Sequence, residues 1–88
     1  MDKNTNSIIN ICSEECAEVI QAISKIFRFG LDATWNGETN RERLEKELGD
    51  LMAMIHIMES TGIVRNEMIV EAEIEKYEKL RKWSKIEF

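Results

Sequence analysis

Residues 40–61 read NRERLEKELGDLMAMIHIMEST. Placed at about 100° per residue, Leu44, Leu48, Leu51, Met54, Ile55 and Met58 share one broad apolar arc, with Ile57 extending one side. That period predicts an amphipathic helix. Thr39-x-x-Glu42 has capping-box spacing, Asn40 is a competing N-cap, and Gly62 after Ser60-Thr61 is a stop signal. Two acids break the pattern. Glu47 falls among Leu51, Met54 and Met58, and Asp50 falls between Met54 and Ile57.

The segment before it repeats the anomaly. Over about residues 6–29, Ile8, Ile11, Cys12, Val19, Ala22, Ile23 and Ile26 line one arc of a helix that Gly30 ends. Glu15 lies near the middle of that arc and Glu18 at its edge, while Glu14 lies toward solvent. A third helix is expected over about residues 65–84, where Met68, Ala72, Tyr77, Leu80 and Trp83 define the apolar side and Lys76 lies inside it. A loop of about ten residues and one tight turn join the three, and no strand is expected. The fold class is therefore all-α: a three-helix antiparallel bundle, or a four-helix one, over the single domain 1–88. At this length a lone core is marginal, so the bundle is expected to oligomerise.

Composition narrows the class. Twelve Lys+Arg stand against 17 Asp+Glu, a net charge of −5, with 43% hydrophobic and 33% charged residues, so the chain reads as globular. A pI near 4.9 argues against a nucleic-acid binder. No apolar run approaches a membrane span, and the opening residues MDKNTNS lack the layout of a secretory leader, which gives a cytoplasmic expectation. Cys12 and Cys16, one helical turn apart, read as two reduced, core-packed residues. His56 falls on the polar side of its helix, and Met52, Met54 and Met58 read as core filler.

The chemistry follows from the two acidic pairs. Glu15/Glu18 and Glu47/Asp50 are each spaced i, i+3, which puts both carboxylates of a pair on one side of a helix. Four inward carboxylates stay ionised together only if multivalent cations neutralise them. Hard oxygen donors suit Mg²⁺ or Mn²⁺, and a carboxylate-held Mg²⁺ points to phosphate-bearing ligands attacked by water. Glu42, Glu45, Glu71, Glu75 and Glu78 read as ordinary solvated charge.

Taken together, Glu14-Glu15-Cys16-Ala17-Glu18 and Glu47-Leu48-Gly49-Asp50 form EExxE followed by ExxD. The ordered pair resembles the signature of the MazG-like all-α nucleoside triphosphate pyrophosphohydrolases, in a short form common among phage and bacterial sequences. The surrounding Glu18-Val19-Ile20-Gln21-Ala22-Ile23-Ser24-Lys25 is similar too, and the likeness covers about residues 8–60 well. It implies hydrolysis of a (d)NTP between its α and β phosphates, releasing a (d)NMP and pyrophosphate. It also implies Glu15, Glu18, Glu47 and Asp50 as Mg²⁺ ligands, with Mn²⁺ as a substitute. Glu14, counted with Glu15 as catalytic, is then either a partner just beyond the metal's direct ligands or a base that orients the attacking water. Gly49 reads either as permitting close helix approach or as merely facing solvent. Many members of the family have four or more helices, so a complete site here implies a homodimer or homotetramer.

A triphosphate also needs cations and a base platform. Lys25 points to the same side as Glu18, Arg28 lies nearby, and Lys76 interrupts its apolar arc. Trp35, in the loop with no core to fill, is the candidate for stacking on a base, with Phe27 and Phe29 flanking Arg28 near that loop. Tyr77 and Trp83 read as core. The rival expectation is a non-catalytic interaction or regulatory module of the same fold.

Overall fold

The computed structural model describes residues 1–88 and is all-α apart from one short turn element. Helix α1 spans Lys3–Phe29, longer at its start than the periodicity predicts because Asp2 caps it, its carboxylate accepting from the Thr5 N–H at 2.7 Å. Helix α2 spans Asn40–Ser60 and α3 spans Asn66–Trp83. Glu15 of α1 faces Asp50 of α2, and Glu18 faces Arg43, so the two helices run antiparallel.

Between α1 and α2 lie two strands that sequence reasoning did not anticipate, β1 (Thr34–Trp35) and β2 (Glu38–Thr39), paired antiparallel with Trp35 opposite Glu38. Asn36 and Gly37 turn the chain with φ of 53° and 76°. A two-residue hairpin turn needs positive φ at both positions, and Asn-Gly is the pair that tolerates it best. That dipeptide was the available signal. It went unread because no alternating strand pattern flanks it. The loop is tied down at both ends: the Asn40 N–H donates to Ala33 O at 3.0 Å, the Arg41 N–H to Leu31 O at 2.9 Å, and Arg41 pairs with Asp32 at 3.1 Å.

The start of α2 decides between its two candidate caps. Thr39 Oγ1 accepts from the Glu42 N–H and the Glu42 carboxylate accepts from the Thr39 N–H, both at 3.0 Å, completing a capping box. These bonds also hold the Glu42 carboxyl below its ordinary value. Asn40 is thereby the first helical residue, and its Nδ2 donates to Gly30 O at 2.9 Å. At the other end Gly62, with φ of 78°, closes a Schellman motif in which the Ile63 N–H reaches Met58 O at 2.9 Å. Gly49 does not mediate a close approach: a Cβ added there meets nothing within 4 Å.

The molecule measures 41 × 37 × 15 Å, and its thinnest dimension is little more than the roughly 10–12 Å diameter of one helix. It is a single layer of helices. A layer cannot enclose a core, and only Ile8, Ala22, Met54 and Glu47 are buried. The radius of gyration, 15.8 Å, exceeds the roughly 12 Å of a compact chain of this length. Helix α3 buries no residue, and Asn66 Nδ2 to Glu59 Oε2 at 2.6 Å pins its start.

Several residues read as core therefore stand in the open. Tyr77 and Trp83 are 46% and 84% exposed, because no other helix covers α3; only the Phe88 ring of the tail meets Tyr77, edge-on at 6.1 Å. Met52 and Cys16 are exposed as well, while Met54 is buried and Cys12 and Met58 are half-buried. Two further apolar stripes face outward: Ile9, Ile20 and Phe27 on α1, and Val70, Ile74 and Tyr77 on α3. No helix is long and apolar enough to cross a membrane.

Candidate functional site

Antiparallel packing of α1 on α2 turns two separate sequence motifs into one cluster. Glu15 from α1 and Glu47 and Asp50 from α2 each offer a carboxylate oxygen, and the three lie within 4.8 Å of one another. The i, i+3 spacing sets Glu47 and Asp50 on one side of α2, and the apolar arc turns that side toward α1. Glu47 is only 8% exposed, Glu15 is half-buried and Asp50 is exposed. Burial, and then the negative charges of Asp50, Glu47, Glu18 and Glu14, push the Glu15 carboxyl above its ordinary value.

Glu18 is the acid that the structure does not bring into this triad. Its carboxylate faces Arg43, with Nη2 at 3.8 Å, and the same guanidinium donates through Nε to Glu47 Oε1 at 2.9 Å. Arg43 thus answers the buried Glu47 charge, and it is the residue that sequence reasoning missed. Its signal was the Arg43-x-x-x-Glu47 spacing, one helical turn, which resembles any surface pair until Glu47 is known to be buried. Glu14 is exposed and outside the triad.

Arg43 also lines a cleft of about 440 Å³ with Lys25, Phe29, Thr34, Trp35, Glu38 and Asn40. Two expected substrate-binding residues meet there. Lys25 Nζ sits 5.7 Å from the Trp35 ring centroid, and the ring is 70% exposed. The β-hairpin holds Trp35 there by pairing it with Glu38, which Lys46 braces through an ion pair at 3.0 Å. Arg28 is not in the lining but stacks on Phe29, which is, at 5.0 Å, and Lys76 is exposed on α3 away from the cleft lining. Burial, then Cys16 and Glu15, raise the Cys12 thiol, so it favours its neutral form.

The donor set suits a hard divalent cation: carboxylate oxygens only, converging from two helices, with one member carried above its ordinary pKa by burial and by the like charges around it. Fold and cluster together define an all-α helical hairpin that presents acids across its helix interface. The chain belongs to the MazG nucleotide pyrophosphohydrolase domain family, whose profile matches residues 3–84 and so takes in α3 as well as both motifs. No curated protein and no solved structure matches it.

Proposed function

We propose that the chain is a nucleoside triphosphate pyrophosphohydrolase, cleaving a (d)NTP between its α and β phosphates to a (d)NMP and pyrophosphate. The observation that carries this reading is the convergence of Glu15, Glu47 and Asp50 within a chain of this family. Those three, with Glu18 beside them, would hold Mg²⁺, or Mn²⁺ in its place. The chemistry a bound divalent ion supplies here is charge withdrawal from phosphate oxygens and a lowered pKa for water. Glu14, exposed next to Glu15, accepts the proton of the attacking water.

The cleft supplies the rest. Trp35 offers a flat apolar face to the base, and Lys25 offers a cation to the phosphate tail. Arg28, stacked on the cleft-lining Phe29, stands at the edge of the cleft, while Lys76 on α3 lies outside its lining and would reach it from a neighbouring subunit or after rearrangement. A homodimer or homotetramer of this single 1–88 domain is supported by the one-layer shape and by the outward apolar stripes of α1 and α3. A cytoplasmic place accords with such a substrate.

The test is a nucleotide panel with separate detection of pyrophosphate and orthophosphate. Pyrophosphate released only with divalent metal is the expected result. Stepwise orthophosphate would refute the reading. Silence across the panel, with a protein partner bound instead, would favour a non-catalytic module.

A further inference from the structure

Arg43 occupies an unusual position. Its guanidinium touches Glu47 at 2.9 Å and Glu18 at 3.8 Å, and the same side chain lines the cleft beside Lys25 and Trp35. Glu47 is buried, so its negative charge needs a cation close by, and here that cation is Arg43. A divalent ion at Glu15, Glu47 and Asp50 would answer the same charge and repel the guanidinium. Arg43 has somewhere to go. Its side chain is 38% exposed, it carries five N–H donors in a fork that matches a phosphate, and the adjoining cleft is within its reach.

We propose that Arg43 is a partner-exchanging residue: it neutralises Glu47 and Glu18 in the metal-free protein and swings to the triphosphate once metal takes over those carboxylates. This rests on the function proposed above. Two consequences follow, of opposite sign. Arg43 competes with metal for Glu47 and so weakens metal binding in the absence of substrate. Once metal is bound, the released guanidinium adds a charge-assisted contact to the phosphates. Metal and triphosphate then bind with positive coupling, because each favours the same Arg43 position. A static i, i+4 ion pair accounts for the first effect but not for the second.

The experiment compares wild type with Arg43→Gln and Arg43→Lys in two titrations, one of Mn²⁺ alone and one of Mn²⁺–tripolyphosphate, with helicity followed by circular dichroism. Arg43→Gln is expected to bind Mn²⁺ alone several-fold tighter and Mn²⁺–tripolyphosphate about tenfold weaker, the scale of a lost charged hydrogen bond. Arg43→Lys keeps the charge without the fork and is expected to fall between the two on both axes. Equal or weaker Mn²⁺ affinity in Arg43→Gln, or an unchanged tripolyphosphate affinity, would overturn the exchange alone. Failure of wild type to bind Mn²⁺ would overturn the functional reading together with it. If Arg43→Gln loses its helicity, Arg43→Lys decides: wild-type values on both axes would reject the exchange.

Discussion

The hairpin of α1 and α2 and the arm formed by α3 are built from sequence of similar apolar proportion and meet different fates. In the hairpin each helix end is closed by a specific device: Asp2 and Gly30 on α1, the Thr39–Glu42 box and the Gly62 turn on α2. All four buried residues lie there, and so does the carboxylate triad. Helix α3 has no side-chain cap at its N-terminus and buries nothing, yet it carries Met68, Val70, Ile74 and Tyr77 at 44–56% exposure. The difference teaches that pairing α1 with α2 is enough to bury residues and gather the acids, whereas α3 leaves its apolar side uncovered within the monomer.

The largest expected effect is on the hairpin side. Asp50→Asn should cut pyrophosphate release by about 10²–10³-fold, the usual cost of a lost electrostatic stabiliser, with helicity unchanged. Glu75→Gln, an equal charge loss on α3, should leave turnover intact. Equal losses in both variants would erase the distinction between the two regions.

Next is assembly. Ile74→Asp puts a charge in the centre of the α3 stripe and should weaken self-association by about 30-fold or more, as at an interface hot spot. Light scattering across a concentration series measures it. A mass unchanged by the substitution would return α3 to the status of a solvent-facing arm.

Gly49→Ala should stabilise the hairpin by about 1 kcal/mol, because the site is helical and an added Cβ meets no neighbour. Thermal unfolding would read this as a rise of several degrees in Tm. A loss of stability would reveal a partner packed on that face.

The smallest effect is in pH dependence. The folded Glu15 carboxyl titrates above its ordinary value, so its contribution to stability is present below the unfolded pKa and is lost as pH rises through the folded one. Metal-free protein should thus gain stability on mild acidification through the carboxylate range, and saturating Mg²⁺ should remove that gain. Glu15→Gln should flatten the profile over that range and abolish the Mg²⁺ effect. Melting curves from pH 7 to 4 test the sign.

Much of this was legible in the residues. The periodicity of 40–61 carried α2, and the misplaced Glu15, Glu47 and Asp50 carried the cluster, because an acid on an apolar arc is conspicuous in one dimension. Glu18 lay at the edge of its arc, and a shift of a fraction of a turn separates a carboxylate that faces the triad from one that faces Arg43. The Asn36-Gly37 hairpin was overlooked because two-residue strands have no period to detect. Exposed Tyr77 and Trp83 were misread for a deeper reason: a helical wheel says which side is apolar, and not whether anything covers it.

Sequence alone determined the three helices, the Thr39–Glu42 spacing that opens α2 and the acids Glu15, Glu47 and Asp50 that point inward, since these follow from local hydrogen bonding and from 3.6-residue geometry. Only the tertiary structure decided that the layer is one helix thick, that Arg43 answers Glu47, and that Lys25 and Trp35 share a cleft. Those facts depend on distances between residues far apart in the chain, which hydrophobic patterning constrains in direction but not in position.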